Sequence, residues 1–159
     1  MIQRIQTLYL LIACVLCVLC LCLPVGYYIN DDGERVATIY NLMFRYSPQF
    51  VVEGMRGYSY RGWALFALLL FVSTISFTNI FLFRRRAFQM RLCTLSIILL
   101  VGWYILYAAF LWLVGSGIEA HFRPEWTAAL PFCSIVLLYL AFRGVMKDEM
   151  LVRSLDRLR

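Results

Sequence analysis

Four long apolar stretches divide the chain, and polar connections separate them. They cover about residues 5–25, 63–83, 92–114 and 126–143. A transmembrane α-helix needs roughly 20 mostly apolar residues to cross the bilayer core. The pattern therefore predicts an all-α membrane protein, a four transmembrane helix bundle. No linker or repeat divides the chain, so we expect residues 1–159 to form a single domain.

The first apolar stretch has an alternative interpretation as a cleaved signal peptide. Arg4 supplies a positive charge ahead of it, and residues 11–14 resemble a lipoprotein cleavage box ending at Cys14. The apolar run before Cys14 is short, however, and it continues well past that residue. We therefore expect the stretch to be retained as a span.

In the longest polar connection, residues 26–61, the pattern of apolar and polar residues favours β structure. Residues 27–29 and 36–40 predict a β-hairpin, and Gly33 is suited to the positive φ of its turn. Residues 50–52 predict a third short strand. The sequence thus predicts a small β-rich extracytoplasmic loop.

Two prolines mark the last apolar stretch. Pro124 is suited to the first turn of the last helix, where its missing N–H has no bond to lose. Pro131 lies further in and predicts a slight kink.

Basic residues are unevenly shared between the two sides of this topology. One side carries Arg4, Arg84, Arg85, Arg86, Arg91, Arg143, Lys147, Arg153, Arg157 and Arg159, and the other carries Arg35, Arg45, Arg56, Arg61 and Arg123. An excess of Lys and Arg marks the cytoplasmic side. We therefore expect a multi-pass membrane protein with both termini in the cytoplasm.

The tail, residues 144–159, continues with a different pattern. Leu151, Leu155 and Leu158 recur at helical spacing, which predicts a C-terminal cytoplasmic amphipathic helix. Such a helix could lie on the bilayer with its cations at the interface, or it could dock a partner. The tail also carries the acids Asp148, Glu149 and Asp156. We expect these acids to pair with the arginines at 84–91 and to fold the tail across the end of the bundle.

Composition strengthens the membrane interpretation. The chain is 63% hydrophobic, against roughly 45–50% in soluble domains. The net charge is +6, and the basic residues lie beside the apolar spans. This placement indicates membrane orientation and contact with phospholipids, so we expect no nucleic-acid partner.

Few residues offer catalytic or metal chemistry. Cys14, Cys17, Cys20 and Cys22 point in different directions on a helix, so they cannot converge on one ion. His121 is the only histidine, and only Glu119 and Glu125 lie near it in sequence. We therefore expect no metal, no cofactor and no enzymatic activity.

The second span carries polar side chains on two arcs. Ser73, Ser76 and Asn79 share one arc, and Thr74 and Thr78 share another. In membrane helices such groups usually bond a neighbouring helix or their own backbone. We expect a packing role for them.

Both ends of the chain carry a resemblance. The opening residues 1–11 and the closing residues 147–159 resemble the ends of a family of short four-span bacterial inner-membrane proteins, which is known only as a domain of unknown function. The resemblance spans the whole chain and implies topology and compartment, but no chemistry. It also implies that Gln3, Arg4, Gln6 and the tail are the places to look for function.

Two functions fit these observations. The first is a non-enzymatic accessory subunit or assembly factor of a larger membrane complex, which implies other membrane proteins as partners. The alternative is a small stand-alone lipid-interacting or transport protein. The predicted partner or lipid contacts are Gln3, Arg4, Arg84, Arg85, Arg86, Arg91, Lys147, Asp148, Glu149, Arg153, Asp156 and Arg157.

Overall fold

The computed structural model describes residues 3–31, 33–47, 58–59, 62–82, 86–115 and 121–156. Its helices are α1 (Gln3–Cys22), α2 (Trp63–Phe81), α3 (Arg86–Gly115) and α4 (Leu130–Asp156). Successive helices run antiparallel, and each packs chiefly on two neighbours, so the helices form a closed ring in the order α1, α2, α3, α4. In this part of the chain, four helices are long and apolar enough to cross a membrane, as in a multi-pass membrane protein.

The first helix ends earlier than the apolar stretch that predicts it. Pro24 and Val25 begin a strand instead of completing the span. Proline has no N–H, so Pro24 cannot donate to the Cys20 carbonyl four residues earlier. The side-chain amide of Asn41 donates to that carbonyl in its place.

A small antiparallel sheet covers one end of the ring. Its strands are β1 (Pro24–Ile29), β2 (Arg35–Tyr40), β3 (Phe44–Tyr46), β4 (Tyr58–Ser59) and β5 (His121–Pro124), in the order β4-β3-β2-β1-β5. The predicted hairpin of β1 and β2 is confirmed, with Gly33 at φ +81° in its turn. The third strand lies at Phe44–Tyr46, and the predicted strand at 50–52 lies outside the described residues.

The end of α3 supports the sheet. With 30 residues, α3 is about 45 Å long at 1.5 Å per residue, well beyond the 19 residues of α2. Its last turns carry Phe110 and Leu111, which pack against a sheet core that includes Tyr28 and Phe44. Burial raises the pKa of Tyr28, so its hydroxyl stays protonated at neutral pH and donates to the Leu111 carbonyl at 3.1 Å.

The prolines of the last stretch lie elsewhere than predicted. Pro124 ends β5, which pairs with β1, and a 3₁₀ helix at Trp126–Ala129 follows it. Pro131 is the second residue of α4, where the first turn has no backbone bonds for it to break. The sheet therefore gains its fifth strand from the short return connection between α3 and α4.

The tail is not a separate helix. The last span was predicted to end near residue 143, yet α4 runs unbroken from Leu130 to Asp156. Gly144 lies inside the helix, where its missing side chain makes room for Gln6 of α1. Close packing between two helices therefore overrides the weak helix propensity of glycine.

Candidate functional site at the arginine end

Four chain segments meet at the end of the ring opposite the sheet, which we call the arginine end. They are the start of α1, the end of α2, the start of α3 and the second half of α4. The antiparallel order of the helices alone brings these segments together. Most of the contact residues predicted from the sequence belong to these segments, although they are far apart along the chain.

The structure describes these predicted residues unequally. Arg91 and Lys147 are exposed, and Asp148 and Glu149 are half-buried. The backbone alone is described for Gln3, Arg4, Arg86, Arg153 and Asp156, all of which are helical, and Arg84, Arg85 and Arg157 lie outside the described residues. The predicted pairing of tail acids with the arginines at 84–91 thus stays a prediction.

Asp148 has a described partner on another helix. The Nε2 of Gln6 donates to its Oδ2 at 2.8 Å, across 142 residues of sequence. Gln6 is 6% exposed, and a Cβ on Gly144 would lie only 3.0 Å from the Gln6 side chain. A hydrogen bond to a charged group is stronger than one between neutral groups. This contact holds the second half of α4 against α1.

The opposite face of α4 is exposed at this end. It presents Arg143, Met146, Lys147 and Met150, which we call the α4 stripe. Their spacing of i, i+3, i+4 and i+7 places them on one side of the helix. Two cations therefore alternate with two flexible apolar side chains. Arg and Met are both enriched at protein–protein interfaces. Lys147 is among the contacts predicted from the sequence, whereas Arg143, Met146 and Met150 are not.

A second basic position lies at the start of α3. Arg91 is exposed, and Phe88, one turn before it, is 48% exposed. A cation beside an aromatic ring suits a membrane interface, where the ring contacts acyl chains and the cation contacts headgroups. This end of the molecule therefore exposes a cation and an aromatic ring side by side.

Inside the ring, the two polar arcs of α2 are confirmed. Ser73, Ser76 and Asn79 are buried. Thr74 and Thr78 lie on the outside, where their hydroxyls donate to the carbonyls of residues 70 and 74. Asn79 Nδ2 donates to Cys93 Sγ of α3 at 3.2 Å. The inner arc thus links α2 to α3, as expected of polar groups in an apolar bundle.

The sheet end offers less chemistry. His121 Nε2 lies 3.4 Å from Asp31 Oδ1, and both side chains are more than 80% exposed. Within the described ranges, no cluster of three or more His, Cys, Asp or Glu residues could hold a metal ion. An exposed pair of this kind contributes little to stability.

Comparison with known families gives one match. The family described as Domain of unknown function (DUF4293) matches residues 2–158, which is nearly the whole chain. A comparison with curated proteins finds no match.

Proposed function

The chain belongs to the DUF4293 family, a domain of unknown function, and from that premise we propose that it is a non-enzymatic accessory subunit or assembly factor of a larger complex in a bacterial inner membrane. Both termini face the cytoplasm in this proposal, and the arginine end makes the contacts. The α4 stripe is the observation that carries it.

The orientation rests on the charges at the two ends. Arg91, Arg143 and Lys147 are exposed at the arginine end, and the predicted cytoplasmic side carries ten of the fifteen Lys and Arg residues. Positive residues beside membrane spans are retained in the cytoplasm. The sheet lies on the side that carries the other five, and it then faces outside.

The α4 stripe supports a protein partner because it is both exposed and held in place. The Gln6–Asp148 bond fixes the opposite face of the same helix turns against α1. A surface that is already ordered loses little conformational entropy when it binds. Methionine side chains also adapt to different apolar partners. A rigid helix face with adaptable side chains suits docking to another membrane protein.

Co-purification from native membranes tests this proposal. The protein is extracted in mild detergent, resolved by native electrophoresis, and its companions are identified by mass spectrometry. We expect a defined larger species that is lost in the double variant Met146→Ala/Met150→Ala. The matched control is Val136→Ala/Leu140→Ala, which changes two exposed apolar residues nearer the sheet end of the same helix.

Charge reversal gives a second arm. Arg143→Glu/Lys147→Glu should release the companion, whereas Arg123→Glu, exposed on β5 at the sheet end, should not. A protein that migrates alone under every mild extraction, with wild-type and variant indistinguishable, would contradict the accessory role.

The second candidate function is a small stand-alone lipid-interacting or transport protein, and the Phe88–Arg91 pair favours it. Each Lys or Arg near an anionic leaflet contributes about 1 kcal/mol to lipid binding. Native mass spectrometry tests it by counting retained phosphatidylglycerol and phosphatidylcholine. Retention of the anionic lipid that falls in Arg91→Ala, without any companion protein, favours this function over the first.

A further inference from the structure

Three polar atoms between α2 and α3 have no hydrogen-bond partner among the described residues. They are Ser76 Oγ, Asn79 Oδ1 and Ser96 Oγ. Each of the three residues is at most 1% exposed. Buried polar atoms in proteins are nearly always paired with protein or with ordered water. Three such atoms in one interface therefore indicate a bound group that pairs with them.

The register of the two helices places these three residues in adjacent layers. Asn79 of α2 faces Cys93 of α3, with 3.2 Å between Nδ2 and Sγ. Because the two helices are antiparallel, the next layer of facing residues lies three positions earlier on α2 and three positions later on α3. That layer holds Ser76 and Ser96. In this register the two serines share one layer, which is adjacent to the layer of the free amide oxygen.

We propose that this layer is a binding site for water, in which a bound molecule bridges the Ser76 and Ser96 hydroxyls and the Asn79 carbonyl oxygen. The three atoms are one pure acceptor and two hydroxyls, each of which both donates and accepts. Water donates and accepts in the same way, and a buried water typically makes two to four hydrogen bonds. The near-complete burial of all three residues favours the smallest such ligand.

The site lies nearer the arginine end of α3 than its sheet end. Ser96 lies ten residues into α3, about 15 Å from its first residue at 1.5 Å per residue. Gln89, a further buried polar residue, lies between that end and the layer, and its carbonyl accepts from Asn79 at 3.4 Å. Buried polar groups thus continue from the arginine end to the site. This inference is independent of the proposed partner.

Water-edited solid-state NMR of the protein in lipid bilayers tests the site. Magnetisation is transferred from water to carbon-13 in labelled serine and threonine. We expect early transfer to Ser76 and Ser96, although both are buried in the bundle. Thr74 and Thr78 serve as internal controls, because their hydroxyls bond their own helix on its outer face. Transfer to the serines no faster than to these threonines would overturn the proposal.

A variant locates the water. The double variant Asn79→Leu/Ser96→Ala removes two of the three partners of the bound water. We expect magnetisation transfer from water to Ser76 to fall to the level of Thr74. The matched control Thr78→Val should leave transfer to Ser76 unchanged. Unchanged transfer in the double variant would overturn the site. Should the variant not fold, the wild-type comparison decides alone.

Discussion

The two ends of the helix ring are built differently. At the sheet end, side chains bond across elements. The buried Trp103 Nε1 donates to Asn41 Oδ1 at 3.2 Å, and the buried Tyr107 donates to the Val25 carbonyl at 3.2 Å. The half-buried Tyr104 donates to the Ala128 carbonyl at 2.7 Å. Trp103 also stacks on Tyr107, with ring centroids 5.1 Å apart. At the arginine end, the Gln6–Asp148 bond ties α1 to α4, and the α4 stripe beside it is exposed.

In our proposal, the sheet end stabilises the fold and the arginine end contacts other molecules. Side chains at the sheet end satisfy backbone carbonyls that strands and helices leave free, such as the Cys20 carbonyl beside Pro24. Such groups are costly to leave unpaired, so substitutions there should weaken the fold. Among the described residues, the exposed α4 stripe has no comparable role in the fold, which leaves it available for a partner or for lipid.

Loss of Trp103 should have the largest effect. Trp103→Ala removes a fully buried ring and the partner of Asn41, and we expect a loss of about 3–5 kcal/mol in the free energy of unfolding. Trp112→Ala on the same helix removes a ring that is 84% exposed and should cost far less. Unfolding in mixed detergent–SDS micelles measures both. Equal losses would break the proposed contrast between buried and exposed aromatics.

Gly62 should rank next. A Cβ at this position would lie 2.7 Å from the Asn41 carbonyl oxygen, so Gly62→Ala should push the β2–β3 connection away from α2 and cost about 1–3 kcal/mol. Gly102→Ala is the control, because a Cβ there meets nothing within 4 Å. It should be neutral or stabilise α3 by up to about 1 kcal/mol. A neutral Gly62→Ala would show that the connection yields easily.

The Gln6–Asp148 bond should matter less than the sheet end. Asp148→Ala leaves the buried Gln6 amide without its described acceptor, and we expect a loss of about 1–2 kcal/mol. Trypsin should also cleave faster in the second half of α4, because that segment is released from α1. Cleavage at the wild-type rate would mean that other contacts hold the helix.

The α4 stripe should have the smallest effect on stability. Lys147→Ala and Met150→Ala change exposed side chains, and each should alter the free energy of unfolding by less than about 0.5 kcal/mol. The same variants should weaken co-purification if the stripe docks a partner. A stability loss as large as that of Asp148→Ala would assign the stripe a structural role instead.

Much of the architecture follows from local pattern. Length and apolarity predict the four helices, and the glycine at position 33 predicts the hairpin turn, because few other residues adopt positive φ. The spacing of Ser73, Ser76 and Asn79 predicts one buried arc. Each of these signals involves residues within a few turns of one another, so the sequence contains it directly.

Tertiary structure decided which distant residues meet. The helices are apolar on nearly every side, so periodicity does not show which face of α1 contacts α4, and Gln6 and Asp148 are 142 residues apart. Asn41 and Trp103, 62 residues apart, meet because the sheet packs against the ring. The continuity of α4 through Gly144 likewise depends on its neighbour α1. The sequence by itself determined the helices and their number. Packing decided which helices are neighbours, because a buried contact needs residues from two segments and the pattern of one segment does not show its partner.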